Sequence, residues 1–249
     1  MDEQFTLRSA LFSLAGLALN ILLVSLVSRL NIPLYLDCIG TLLVAALCGV
    51  IPGITVGFLS NLLTAILTVS ADPLTMYFGI LSILLALVTT LFSRRGWLRK
   101  AWTALLLAPV LALIGGGLGS LLTWMLYGSS FGSGITAPLA MSLFQQGFSE
   151  ATAQLTASLA IDLVDKLISV AVLYLFLRLV PQRWLSGLPM GDIYDRSKPF
   201  AYDPFRRDKL YRKRSLRTKI VLFVLAVATV LSAVAIASSA ISYRRMLVE

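Results

Sequence analysis

The chain reads as all-α: a polytopic membrane helix bundle with a six-helix core and a seventh transmembrane helix. Charge is scarce, since 13% of the 249 residues are Asp, Glu, Lys or Arg, where soluble domains carry about 25%. Hydrophobic residues make up 58% of the chain and mean hydropathy is +0.87. The apolar runs repeatedly approach the roughly 20 residues that a helix needs to cross a bilayer.

Breaks in those runs set the elements. The first span is read over residues 10–28, ended by Arg29 and the Asn31-Ile32-Pro33 break. Its flank, MDEQFTLRSALFSLAG, is acidic before a single arginine and has no small-residue cleavage site, so it reads as a retained span and not a removed signal. A short re-entry, PLYLDCIG, leads into a second span over 36–50, and Pro52-Gly53 is read as a tight turn into the third, ITVGFLSNLLTAILTVS, which Asp72-Pro73 ends. A fourth span, 76–92, stops at SRRGWLRK. The fifth, 103–126, contains Pro109 and the run Gly115-Gly116-Gly117-Leu118-Gly119. A Gly/Ser-rich stretch with a short amphipathic piece, 128–148, precedes the sixth span, SEATAQLTASLAIDLVDKLISVAVLYLFLRLVP. Beyond Pro181 a polar, Pro-punctuated segment runs to Lys219, and IVLFVLAVATVLSAVAIASSAI forms the seventh span. The expected division is therefore a membrane core at 1–181, a basic cytoplasmic linker at 182–217, and a seventh helix with a short outer tail at 218–249.

The net charge of +9 is topological. Placing the N-terminus inside puts 17 of the 21 Lys and Arg residues on the cytoplasmic side, leaves Arg29, Arg244 and Arg245 outside, and puts Lys166 within the membrane. The expected location is a plasma membrane, with a cytoplasmic N-terminus and an extracytoplasmic C-terminus. Arg206, Arg207, Lys209, Arg212, Lys213, Arg214, Arg217 and Lys219 cluster beside the seventh span, where each attracts anionic lipid headgroups by about 1 kcal/mol. No fold that reads nucleic acid accompanies them.

The sixth span holds the strongest functional signal. Asp162, Asp165 and Lys166 stand inside an otherwise apolar helix, where each charge costs roughly 2.5–3.5 kcal/mol unless it faces a bundle interior or cavity. Glu150, Gln154, Ser158, Asp162, Asp165 and Ser169 follow steps of four and three, so they share one stripe. Asp162 and Lys166 have the i, i+4 spacing of a helical ion pair, which either neutralises itself or leaves one member for a ligand; Asp165 is then the unmatched charge. In the third span Asn61, Thr64 and Thr68 share a face below Gly53-x-x-x-Gly57, which reads as close helix contact with polar glue. Gly115-x-x-x-Gly119 is read the same way. Asp37, with Tyr35, stands at the mouth of the second span, where an acid either complements the helix dipole or contacts a ligand beneath a folded 31–37 loop.

Catalysis and metals find little material. Without histidine there is no Ser-His-Asp arrangement and no HExxH site, and no enzymatic activity, cofactor or metal is expected. Cys38 and Cys48 lie ten apart in one apolar segment, about 15 Å along a helix and too far for a disulfide.

The order PLYLDCIGTLLVAALCGVIPGITVGFLSNLLTAI, MYFGILSILLALVTTLF, a basic turn, a Gly-rich fifth span and DLVDKLISVAVLYLFLRLVP resembles the six-helix substrate-binding S component of ECF transporters over residues 8–181. The resemblance implies a vitamin- or metabolite-like ligand in a pocket that opens outward, covered by the loop after the first helix and lined or gated by Asp37, Asn61, Glu150, Gln154, Asp162 and Lys166; Tyr35 and Asp165, read from their own positions, complete the candidate ligand residues. It also implies coupling and ATPase subunits as partners. Where S components generally present Ala-x-x-x-Ala on the first helix, this chain has Ser9-x-x-x-Ser13. The tail, SLRTKIVLFVLAVATVLSAVAIASSAISYRRMLVE, resembles the opening of membrane signalling proteins, which implies that the chain is a piece of a larger receptor and its core the sensor input.

Overall fold

The computed structural model describes residues 6–67, 77–127, 134–195 and 197, and among these every regular element is a helix. Thr68, the seventh span and the basic set from Arg206 to Lys219 lie outside the described residues.

Helix α1 runs Leu7–Leu30, started by Thr6, whose hydroxyl accepts from the Ser9 amide and so satisfies one of the unpaired first-turn donors. It ends at Asn31 in the left-handed region (φ 50°), a conformation that asparagine tolerates. The 31–38 loop follows, and then α2, Ile39–Cys48, all ten of whose residues are buried. At 1.5 Å per residue α2 is about 15 Å long, half the thickness of a bilayer core. It forms the centre of the bundle, and other elements satisfy the backbone groups at its ends. At its start the Gly40 amide donates to Asn20 Oδ1 at 2.7 Å. At its end the Ala45, Ala46 and Leu47 carbonyls accept from Thr90 Oγ1, Ser93 Oγ and the Met190 amide at 3.0, 2.7 and 2.8 Å.

The chain turns at Gly49 (φ 97°) into α3, Val50–Leu67. The turn expected at Pro52-Gly53 is thus displaced: both residues lie in the first turn of α3, where proline is tolerated because its missing N–H has no partner within the helix. Gly53 and Gly57 do mediate close contact, with different neighbours. A Cβ on Gly53 would stand 2.7 Å from Ala45 in α2, and one on Gly57 would stand 2.8 Å from Ser82 in α4, which runs Gly79–Arg94.

The fifth apolar stretch is a broken helix made of α5 (Ala101–Leu105), α6 (Leu107–Ala112), a π segment (Leu113–Leu118) and α7 (Gly119–Tyr127). Pro109 cannot donate to the Leu105 carbonyl, which accounts for the interruption at Leu106. The short α8, Ala137–Gln145, precedes α9, Glu150–Leu179, whose thirty residues extend about 45 Å. Ser149 caps α9 by accepting from the Thr152 amide.

Residues 182–195, expected as linker, fold onto the bundle through α10, Gln182–Leu185, and a 3-10 turn, Gly191–Tyr194. The Tyr194 and Ser93 hydroxyls share a 2.6 Å hydrogen bond, and Arg99 donates to the Asp195 carbonyl at 3.1 Å. Burial pushes the Tyr194 phenol up beyond its ordinary range, so it remains a neutral hydroxyl.

Among the described residues two stretches, Leu7–Leu30 and Ala101–Leu126, are long and apolar enough to cross a membrane. Ile39–Cys48, Val50–Ile66 and Gly79–Arg94 are apolar but shorter. The outward faces of the long helices carry bare leucines, among them Leu7, Leu11, Leu14 and Leu22 on α1 and Leu175 and Leu179 on α9.

A buried lysine among three carboxylates beside a polar cavity

The polar stripe of α9 faces inward. Gln154, Ser158, Asp162, Asp165, Lys166 and Ser169 are all buried, while Glu150, in the first helical turn, is half-buried. Room for the stripe comes from the π segment. A Cβ on Gly115 would overlap Asp162 Oδ2, and one on Gly116 would stand 2.8 Å from the Ser158 carbonyl oxygen. Gly119, paired with Gly115 by spacing, meets only Leu81 at an ordinary 3.5 Å. The close approach therefore belongs to two adjacent glycines, a geometry that the four-residue spacing misassigns.

Lys166 Nζ lies 2.7 Å from Asp165 Oδ2, 3.5 Å from Asp162 Oδ1 and 3.9 Å from Asp37 Oδ1. The spacing of α9 suggests Asp162 as the main partner and leaves Asp165 over, and the geometry reverses the two. Consecutive residues do not face each other on a helix, but the four-carbon lysine stem folds back to reach Asp165. The other oxygen of Asp165 accepts from the Tyr35 and Leu36 amides at 3.0 and 2.7 Å. Asp165 thus ties the 31–38 loop, in which Leu36 has φ 45°, to the middle of α9. Among the described residues one buried oxygen of Asp162, Oδ2, has no hydrogen-bond partner.

Beside this cluster, α1, α3 and the 31–38 loop enclose a cavity of about 150 Å³. Its polar wall comes from Asn20, Tyr35, Asp37, Ser60, Asn61 and Thr64. The Asp37 side chain, 40% exposed, belongs to both the cavity and the lysine cluster. Asn61 is held by donating to Ser82 Oγ at 2.7 Å and to the Gly57 carbonyl at 3.0 Å. Of the eight candidate residues, Tyr35, Asp37 and Asn61 line the cavity, while Asp162, Asp165 and Lys166 lie outside its lining and meet it only through Asp37. Glu150 and Gln154 stand apart from its lining; Gln154 donates to Thr136 Oγ1 and Ser158 Oγ, both at 3.4 Å.

Sequence reasoning missed Asn20. Fully buried on α1, it accepts from the Gly40 amide through Oδ1 and donates through Nδ2 to Thr41 Oγ1 and Ser60 Oγ, both at 2.9 Å. Its one available signal was an isolated asparagine in an apolar span, since polar side chains there serve as interhelical glue. Asp37, Cys38 and Asp165 also bring donor atoms within 4.8 Å of one another. The cation that geometry already provides for their carboxylates is the Lys166 ammonium. A larger hollow of about 290 Å³ opens between α5 and α9, lined by Trp102, Leu105, Val170 and Tyr174 among others. Almost wholly apolar, it offers few groups to orient a ligand.

Comparison with protein-family models, curated protein sequences and solved structures finds no match for this chain. The functional reading rests on the residues themselves.

Proposed function

We propose that this chain is a multi-pass membrane module that binds a small metabolite in the cavity between α1, α3 and the 31–38 loop, as the input region of a membrane signalling protein. The observation that carries this reading is the Asp165 clamp. One buried carboxylate holds the backbone of the loop that presents Tyr35 and Asp37 to the cavity. A ligand that shifts the loop therefore acts on α9, and α9 runs on to α10 and the 182–195 segment. A ligand biases such an element only through contacts that differ between its two positions, and the loop residues supply them.

The bare leucines of α1 and α9 support the membrane reading, because a water-facing surface rarely carries so continuous an apolar face. The basic regions support the orientation. Arg8 touches Gly187, and Arg99 bonds Asp195, so Arg8 of α1 and the basic residues of the 94–100 turn and of the 182–195 segment share one end, which the positive-inside rule assigns to the cytoplasm. The 31–38 loop, at the far end of α1, then opens outward.

An uptake subunit working with coupling and ATPase partners is the second reading. Ser9, the nearest equivalent of a docking-face alanine, is buried within the bundle, which favours sensing. A ligand-free anchor is the third.

Orientation is tested by single-cysteine labelling after Cys38 and Cys48 are replaced by serine. Ile32→Cys is expected to react with a membrane-impermeant maleimide on intact cells, and Trp184→Cys only after permeabilisation. The opposite pattern would turn the cavity to the cytoplasm and end the outward-sensing account.

A further inference from the structure

We infer that the cavity takes a compact molecule bearing a protonated amine, with Asp37 as its counter-ion. The inference rests on the ligand-binding reading above and narrows it to a chemical class.

Charge balance is the first ground. Asp37, Asp162 and Asp165 all lie within 4 Å of a single ammonium, that of Lys166. The three carboxylates are satisfied unequally. Asp165 receives the lysine at 2.7 Å and two backbone amides. Asp162 receives the lysine at 3.5 Å on one oxygen, and its other oxygen is buried without a partner among the described residues. Asp37 receives the lysine at 3.9 Å and its own backbone amide. The unpartnered Asp162 oxygen faces Gly115 of the π segment and not the cavity, so the carboxylate that the cluster presents to a guest is Asp37. Buried charges are retained where they are paired, and the member still open to pairing is the one on the cavity wall.

The rest of the wall fits such a guest. Asn61, Ser60 and Thr64 on α3 bring neutral polar groups and no competing cation to the lining. The volume, about 150 Å³, lies below the roughly 300–1,000 Å³ of pockets for drug-sized ligands, so the guest is compact. An anionic guest would meet Asp37 directly, and a neutral one would bring it no counter-charge.

The test uses the full chain in lipid nanodiscs and three two-carbon probes: ethanolamine (cationic), ethylene glycol (neutral) and glycolate (anionic). Anything that binds the folded state alone raises the unfolding temperature with concentration. Ethanolamine is expected to raise it at millimolar concentration while the other two do not. Asp37→Asn is expected to weaken the ethanolamine response more than tenfold, and Asp37→Glu to hold it within a few-fold. The unfolding temperatures of both variants without probe check that they fold, and Asp37→Glu keeps the test decisive if Asp37→Asn does not. Equal stabilisation by ethylene glycol or glycolate, an undiminished response in Asp37→Asn, or no response to ethanolamine in the parent chain would each overturn the amine assignment. The ligand-binding reading fails separately, if no small molecule of any charge is retained by the purified chain.

Discussion

Replacing Lys166 by Met is expected to destabilise the protein by about 3–5 kcal/mol, the scale on which removing one partner of a buried ion pair acts. The methionine keeps most of the volume, so the loss reports charge. Without the ammonium, three carboxylates face one another in the bundle interior, and Asp162, already missing one hydrogen bond, loses its remaining partner. The second substitution that identifies the cause is Asp165→Asn. The carboxamide oxygen of the new side chain can still accept from the Tyr35 and Leu36 amides, so the loop clamp survives while one negative charge disappears. The double variant Lys166→Met/Asp165→Asn is therefore expected to recover at least 1 kcal/mol relative to Lys166→Met alone, within the roughly 0.5–3 kcal/mol range of coupling between contacting residues. Unfolding in detergent or nanodiscs, followed by heat or denaturant, measures all three. Additive effects would mean that Lys166 contributes through its contacts and not through its charge.

Gly40→Ala is expected to cost about 3 kcal/mol or more, from overpacking of roughly 1–3 kcal/mol together with a broken polar hub at roughly 1–3 kcal/mol per stranded group. The new methyl would overlap the Gly16 carbonyl oxygen and approach Asn20 Oδ1 to 2.8 Å. Backbone on one side and a fully bonded side chain on the other leave it nowhere to go. Helix α1 must lift from α2, and the 2.7 Å bond from the Gly40 amide to Asn20 goes with it. Gly119→Ala is the matched control. Its methyl makes only ordinary contact with Leu81 at 3.5 Å, and alanine gains about 0.8–1 kcal/mol of helix propensity over glycine, so a neutral or slightly stabilising result is expected.

The contrast between those two glycines shows which parts of the molecule were legible in the sequence. The all-helical fold and the inward polar stripe of α9 followed from periodicity, because one helix contains the whole pattern. Gly53 and Gly57 were recognisable as points of close approach for the same reason, although not the separate helices they meet. What could not be read was contact between distant segments. Asn20 bonds residues 20 and 40 positions away, and one asparagine in an apolar run has no spacing to interpret. The turn assigned to Pro52-Gly53 falls at Gly49 because a proline in a first helical turn and a proline in a loop look alike in sequence. The folding of residues 182–195 onto α2 and α4 was hidden by their polar composition, which resembles a linker until Met190 and Tyr194 are seen to satisfy the carbonyls and hydroxyl at the end of the buried core.

Within the site, spacing identified the residues and misassigned their partners. The i, i+4 rule selects Asp162 for Lys166, but that rule describes isolated helices. Here the 31–38 loop brings two amides to Asp165 and a third carboxylate, Asp37, to the lysine. The charge left over by spacing is thereby the most completely satisfied of the three, and among the described residues the unpartnered oxygen belongs to Asp162.

Native mass spectrometry of the full chain, released from membranes in parallel with Val24→Trp, tests the proposed binding function most directly. Val24 lines the cavity without contributing a polar group, and a tryptophan there fills the space. Binding in this cavity predicts a small-molecule adduct on the parent chain that is absent from the filled but folded variant. An adduct-free parent chain, or an adduct that Val24→Trp retains in full, would contradict it.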